Sequence, residues 1–307
     1  MNCLITATEG NVGREVVQIV SSHFPDWSLF GCDANTPLQN DSRFVNHLLS
    51  VDASSENYLS WLEQTISEFS IDLVIPGSDA EILALTKSSG LSVKVIMPNA
   101  NAVIAGSEKI LTYRFLEENG LPAPQSALIN EKTDFQFPFI VKPNVGRGSR
   151  DVTICSDARH LDELRKIFPN AIAQEILQPS SEEMTCAVIR TQLDEIGVLA
   201  LRRKVRNGAS VWAQVVRDDD IVAYCTAIAV KINLRGSINV QLINTAEGPK
   251  AFEINARFSS TVGLRHKLGF TDLVWAIQDQ FFGSPIQLFD PKDGIIAEKG
   301  DEWIIEE

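Results

Sequence analysis

The densest concentration of chemistry-bearing residues in this chain is the stretch NVQLINTAEGPKAFEINAR, residues 239–257. Two strands joined by a short turn at Glu247-Gly248 would set Glu253 and Asn255 on one strand face by two-residue alternation. Arg257 would follow two residues further on that face, with Gln241 beside them on the neighbouring strand. One carboxylate and two amide oxygens suit Mg2+, a hard cation that takes few protein ligands and completes its shell with phosphate oxygens and water. An arginine beside such an ion offers a forked donor pair to a phosphoryl group or a carboxylate. Polar residues on a strand face are ordinarily just solvated. Here they alternate with Phe252, Ile254 and Ala256 and run on through RFSST into a glycine-punctuated helix, which favours the chemical reading.

A second candidate is FIVKPNVGRGSRDV, residues 139–152. A strand delivers Lys142, and a turn with Gly146, Gly148 and Ser149 follows; unhindered amides there could cover a polyphosphate while Lys142 supplies a compact charge. The lysine precedes the glycines and no helix follows, so this is not a Walker loop, and a surface hairpin with incidental basic residues is equally open. A third, Gly10-Asn11-Val12-Gly13 after the first strand, could aim amides at a phosphate. Thr8 stands where the first glycine of G-x-G-x-x-G would be, so a tight strand–helix turn explains it as well. Last, ALRRKVRNGAS is basic: on a strand, Arg202, Lys204 and Arg206 share one face and Arg203 takes the other. Either Arg203 or Lys204 assists Arg257, or the cluster is a solvated strand end.

These groups need two kinds of layer to position them. Over residues 1 to about 100, CLITAT, SLFGCDA, IDLVIPG and VKVIMPN are expected strands, alternating with expected helices in REVVQIVSSHF, ENYLSWLEQTISEF and SDAEILALTKSSG. That alternation predicts a mostly parallel sheet covered by helices. Pro98 and the NANA stretch punctuate the chain; SEKILTYRFLEENG then predicts a helix with Ser107 as N-cap and Gly120 as stop. LPAPQ is an extended linker. Beyond it FPFIVKP, DVTIC, AIAQEIL, MTCAVIR, IGVLALRRKV, ASVWAQVV, INVQLIN and PKAFEIN predict antiparallel strands, with helices in DARHLDELRKIF, DDDIVAYCTAIAVKINL and FTDLVWAIQDQFFG. The fold class is therefore α/β and α+β: an N-terminal open parallel-sheet lobe followed by a two-part α+β region. EKGDEWIIEE at the end reads as a short strand and turn or a tail.

Composition narrows the function classes. The chain has 307 residues, 44% of them apolar, and a net charge of −13 without long basic runs. Nucleic acid and anionic membrane surfaces are thereby disfavoured as partners. No apolar run approaches the roughly 20 residues of a membrane span, and MNCLITATEG reads as a first strand, not a signal peptide. Cys3, Cys32, Cys155, Cys186 and Cys225 are scattered and never paired as CxxC, which favours a reducing cytoplasm over a disulfide framework or structural zinc.

The order of these motifs resembles the ATP-grasp superfamily, especially the ligases like the carbamoyl-phosphate synthetase large subunit, over essentially the whole chain. GSEKILTYRFLEENGLPAP is similar to the helix and linker carrying the family's first nucleotide-contacting lysine, here Lys109, and FIVKP carries the second, Lys142. AQEIL resembles the adenine hinge, with Glu175 and the backbone around Leu177 facing the base. EEMTCAV resembles the ribose-binding segment, best matched by Glu183, with Glu182 as the alternative. NVQLI and FEINARFSS resemble the metal strands, which makes Gln241, Glu253 and Asn255 ligands and Arg257 the phosphate or carboxylate binder.

The resemblance implies a pre-ATP-grasp lobe over 1–104, a small lobe over 105–176 and a large lobe over 177–307. It further implies an ATP-dependent carboxylate–amine ligase that uses one or two Mg2+ ions, with Mn2+ as a substitute, and works through an acyl phosphate. Arg257, Lys142 and Arg203 would carry the chemistry, and the loop of Gly146, Gly148 and Ser149 would close over the phosphates. Ser259, Ser260, Arg265 and His266 would lie near substrate. The partners implied are a small carboxylate and an amine, with a homodimer as the expected assembly. There are departures: QPSSEEM lacks the glycine common in relatives, Ala256 replaces a frequent proline, and Arg265-His266-Lys267 is an added cluster reminiscent of ligases in surface-polysaccharide or amino-sugar pathways. A non-catalytic ATP-binding relative would lack the metal ligands, and a Rossmann-type oxidoreductase would explain only the first 100 residues.

Overall fold

The computed structural model describes residues 1–35, 41–88, 90–131, 135–146, 151–179, 183–206, 209–288, 293–299 and 302–306. Its first layer is a parallel sheet of β1 (Asn2–Ile5), β2 (Ser28–Asp33), β3 (Phe44–Leu49), β4 (Leu73–Ile75) and β5 (Lys94–Val95), in the order β3-β2-β1-β4-β5. Cys3, Leu4, Ile5, Leu73, Val74 and Ile75 are fully buried, as expected of central parallel strands covered on both faces. Helices α1 (Asn11–His23), α2 (Tyr58–Glu68) and α3 (Asp79–Lys87) supply the cover. Edge strand β3 was not expected from the sequence. Its FVNHLL carries Asn46 and His47 and is half exposed, so neither an apolar run nor a clean alternation marks it.

Two helices follow where one was expected. The NANA stretch opens α4 (Ala100–Ser107), and α5 (Lys109–Glu118) begins after one extended residue, Glu108. Ser107 is thus the last residue of α4 and not the N-cap of α5; its hydroxyl donates back to Ile104 O (2.9 Å). The start of α5 is capped from elsewhere, by Asn144 Oδ1 accepting from Ile110 N–H (3.0 Å). Gly120, at φ +67, ends the turn after α5 in the left-handed conformation that favours glycine.

The second sheet is small: β6 (Ser126–Leu128), β7 (Phe139–Pro143), β8 (Thr153–Cys155) and β9 (Ala171–Gln174), antiparallel in the order β6-β9-β7-β8, with α6 (Ala158–Ile167) behind it. It has a core of its own, built from Ile129, Phe139, Val141, Cys155, Leu164, Ala171 and Ala173.

The third sheet is large and antiparallel: β10 (Glu183–Arg190), β11 (Ile196–Arg206), β12 (Ala209–Val216), β13 (Gly236–Thr245), β14 (Gly248–Asn255), β15 (Ile295–Lys299) and β16 (Glu302–Glu306). Their order is β14-β13-β10-β11-β12-β15-β16. One face packs Met184, Cys186, Val188, Val240, Leu242 and Ile254 against α4, α5 and α7 (Asp219–Lys231). The other packs Ala187, Leu199, Leu201 and Ala213 against α1, α8 (Val262–Lys267) and α9 (Asp272–Ile277). Toward β14 that second face turns polar. Helix α4 comes close to β14: a Cβ on Gly106 would stand 2.6 Å from Ile254 O, so helix and strand meet backbone to backbone.

Candidate nucleotide and metal site

Register assembles the polar face. Gln241 lies opposite Glu253, Asn239 opposite Asn255, and Thr185 of β10 flanks Gln241. Opposed residues on paired strands point the same way, so these five share a face, and alternation adds Glu183 and Arg203 to it. Arg203 comes within 3.9 Å of Glu183 Oε1. Burial pulls its guanidinium below the usual arginine range, with Glu183 and Glu253 opposing and Arg257 reinforcing. Lys204 takes the other face, its ammonium 4.8 Å over the Trp212 ring. Arg203 of the basic cluster thus lies among the acids.

A β-bulge reshapes the hairpin end. Leu242 lies opposite Ala251, which leaves Phe252 as an extra residue in β14. Simple alternation would turn Phe252 away from Glu253; instead its ring lies 5.2 Å from Lys142 Nζ. Past the bulge Lys250, opposite Ile243, emerges on the site face and pairs with Glu175 Oε1 (3.5 Å) and Glu247 Oε2 (3.6 Å).

The small sheet supplies the opposite wall. Lys142 on β7 is buried and donates to Gln174 Oε1 (2.8 Å), whose own amide donates to Ser126 Oγ (2.7 Å). Burial pushes its ammonium down to about 8 against the pull of Glu253; Lys109 acts with burial, and Glu183 acts against it. The two sheets thus face each other across a cleft, bridged by Lys142 over Phe252 and by the Lys250–Glu175 pair. Lys109 opens α5, with its N–H on Asn144 O (3.0 Å) and its ammonium on Gly146 O (2.9 Å). Asn144 also donates to Glu108 Oε2 (2.5 Å), so the α5 start is clasped to the turn after Lys142 and both lysines occupy one corner. Glu175 N–H donates to Gln125 O (2.9 Å) where the chain leaves β9, and Leu177 beyond it is buried. Gly146 has φ +139. Gly148, Ser149 and Glu182 lie outside the described residues.

Arg257 reaches the cluster by a different route from the expected one. The strand ends at Asn255, and Arg257 N–H donates to Asn255 O (2.9 Å) in a turn. Its side chain then folds back, with Nη2 donating to Asn255 Oδ1 (3.3 Å), Nη1 to Phe258 O (3.1 Å), and Nε 2.8 Å from Asp79 Oδ1.

The remaining candidates are not brought to the cleft in this way. Arg265 has no exposed surface. Its Nε and Nη2 donate to Asp272 (2.7 and 2.6 Å), and its Nη1 to Ser259 Oγ (2.8 Å) and Thr261 Oγ1 (3.0 Å). It clamps α8 to α9 inside the core, where the side chain has no accessible surface, an arrangement unlike the substrate contact expected from the sequence. Ser259 is buried in the same clamp. Ser260 is partly exposed next to it. His266 lies at the α1–α8 contact, its ring 6.5 Å from that of His23, and burial pushes its imidazole down. Gln174, Asn144, Phe252, Lys250 and Asp79 were missed from the sequence. A glutamine in the otherwise apolar AIAQ was a usable signal for the first; the others depend on the bulge or on contacts between layers.

The donor set fits Mg2+. Among the described residues no three His, Cys, Asp or Glu side chains form a cage. Gln241, Glu253 and Asn255 are oxygen donors alone, which suits an ion that draws most of its shell from phosphate and water. Beside them Asn239, 1% exposed, accepts from Thr185 Oγ1 (2.8 Å), and its Nδ2 has no partner among the described residues. An orphaned donor at that depth calls for a bound oxygen.

The first lobe is poorly suited to a dinucleotide. Asp33, at the end of β2, stands where a ribose-binding acid would. Its oxygens instead accept from Glu9 N–H (2.9 Å) and Asn35 N–H (2.9 Å). A Cβ on Gly13 would stand 2.2 Å from Ala7 O, so the first turn folds tightly on its own helix. A pyrophosphate there would meet a carboxylate.

Comparison with known proteins agrees. Carbamoyl-phosphate synthase of Methanobrevibacter smithii is 26% identical over 122 residues, 36% of this chain and 33% of that protein, so the match spans about a third of the relative's length. N5-carboxyaminoimidazole ribonucleotide synthetase of Thermus thermophilus shares the fold with a TM-score of 0.76 at 14% identity, over 97% of this chain and 82% of that one. L-amino acid ligase of Bacillus licheniformis does so with a TM-score of 0.72 at 15% identity, over 91% and 73%. A family model described as ATP-grasp domain matches residues 106–261, the span that carries both lysines, the cleft and the metal strands, and the chain belongs to that family.

Proposed function

We propose that the protein is an ATP- and Mg2+-dependent carboxylate–amine ligase. The observation that carries the reading is the cleft itself: Lys142 on one wall, and Glu253, Arg203 and Arg257 with the Gln241–Asn255 oxygen set on the other. Lys109 and Lys142 neutralise phosphate charge from the small-lobe side. Phe252 offers an apolar ring near Lys142, and the backbone around Glu175 and Leu177 offers the edge against which a base is read. Glu183 is the candidate for the ribose. Gln241, Glu253 and Asn255 would hold one or two Mg2+ ions, which neutralise β- and γ-phosphate oxygens when bound.

In the first step a substrate carboxylate oxygen attacks the γ-phosphorus and ADP leaves. Arg203 and Arg257 hold the transferring group and its charge, so catalysis is mainly positioning and charge neutralisation. In the second, the amine attacks the acyl carbon, phosphate leaves, and the amine gives up its proton. No side-chain nucleophile is needed. The names of the fold relatives, a carboxyaminoimidazole ribonucleotide synthetase and an amino acid ligase, support this class of reaction. The amino-sugar association rested on the Arg265 cluster, and the buried clamp gives it no support.

The test is phosphate release from Mg·ATP with pooled carboxylates and amines, beside Glu253→Ala. Release that requires both pools and falls on the order of a hundredfold in the variant supports the reading. ATP turnover indifferent to carboxylate, or untouched by Glu253→Ala, would sink it.

A further inference from the structure

We infer that Asp79 is a positioning residue for Arg257, through which the first lobe sets the geometry at the phosphoryl-transfer end of the cleft. The inference rests on the ligase reading for what Arg257 binds. Arg257 lies beyond the strand that carries Glu253 and Asn255, so no ladder fixes its guanidinium. Among the described residues three acceptors hold it: Phe258 O, Asn255 Oδ1 and the Asp79 carboxylate. Of these three, Asp79 alone is charged and alone comes from another layer.

The anchor is firm. Asp79 is the first residue of α3, directly after Ser78, whose hydroxyl accepts from Glu81 N–H (3.3 Å) while Glu81 Oε2 accepts from Ser78 N–H (3.0 Å). This capped end stands at the carboxyl end of β4, where the strand order reverses between β1 and β4, the usual place for a functional crevice in an open α/β sheet. Ile82 of α3 packs in one cluster with α4, which meets the strand of Glu253 and Asn255 backbone to backbone at Gly106 and Ile254. Arg257 is largely buried, its side chain 13% exposed, whereas the Asp79 side chain is 46% exposed. The guanidinium is thus gripped at Nε, and the contacts above take one N–H from each Nη. Among the described residues the second N–H on each has no acceptor, which suits a phosphoryl or carboxylate oxygen.

The experiment measures Mg·ADP binding by calorimetry with and without aluminium fluoride, an anionic stand-in for the transferring phosphoryl group, in wild type, Asp79→Asn and Asp79→Glu. Melting temperatures are recorded alongside. Aluminium fluoride should tighten Mg·ADP binding in wild type. Asp79→Asn should leave Mg·ADP alone within twofold yet reduce the tightening about tenfold, a misorientation cost, and Asp79→Glu should recover most of it. A lower melting temperature with tightening intact would mean that Asp79 serves only the start of α3 and overturns the inference. So would stronger tightening in Asp79→Asn, the signature of a carboxylate that competes with the anion. Wild type that fails to bind Mg·ADP removes the ligase reading and the inference with it. Wild type and both variants that tighten equally leave the ligase reading standing and only the inference lost.

Discussion

Lys142 is where burial and chemistry oppose each other most directly. Nucleotide phosphate needs an ammonium, yet burial pushes this one down to about 8 from 10.5. Between those values the unfolded chain holds more protons than the folded one, so stability should rise with pH from about 8 toward 10.5 and stay flat below it. The rise amounts to roughly 3 kcal/mol. Nucleotide affinity should run the other way. Mg·ADP binding should weaken as pH climbs through 8, and binding near that pH should take up a proton as phosphate restores the charge. Calorimetry in two buffers of different ionisation enthalpy reads the uptake, and Lys142→Met should abolish it; uptake that persists in the variant assigns the proton elsewhere. The neighbours of Lys142 explain why the cleft was only partly legible from sequence. Lys109, Lys142, Gln241, Glu253 and Asn255 announce themselves by type and spacing. Phe252 and Lys250 face the cleft only because one extra residue breaks the alternation, and alternation is the assumption on which any unaided strand reading rests.

At the level of elements, the α8–α9 corner shows how a functional-looking cluster can be architecture. Arg265 next to His266 and Lys267 reads as an anion site in one dimension; in three, the guanidinium pairs with Asp272 in the core. Breaking a buried pair leaves an uncompensated charge, so Arg265→Ala should cost about 3–5 kcal/mol in denaturant unfolding. Protein that remains folded at low temperature should keep wild-type Mg·ADP affinity; a large affinity loss there would return Arg265 to the binding site. Longer elements were more legible. The apolar stripe of α1 and the buried runs of β1 and β4 follow directly from their sequences, as do eight strands of the antiparallel sheets. Short or mixed pieces were not: β3 and β6 lack a sustained pattern, and α4 begins in a stretch whose Asn and Ala residues look like punctuation.

For the molecule as a whole, the order of layers was readable because regular strand–helix alternation gives way to runs of strands with a few helices after LPAPQ. How the layers touch was not, since contacts such as Asp79–Arg257 join residues far apart in the chain. Gly106 is one such joint. A methyl there meets Ile254 O at 2.6 Å, so Gly106→Ala should destabilise by about 1–3 kcal/mol. Because Ile254 sits between Glu253 and Asn255, the variant should also weaken Mg·ADP binding, as calorimetry beside a melting curve would reveal; an unchanged affinity would mean that β14 absorbs the displacement. The small sheet is held differently. Its core is its own, and along the cleft it is fastened by polar contacts, Lys109 to Gly146 O and Glu175 to Lys250. Salt screens such fasteners without touching a buried core, so raised ionic strength should loosen the small sheet's edge along the cleft well before it disturbs the sheet's own core, as hydrogen exchange at Lys109 and Glu175 against Val141 and Ala173 would read.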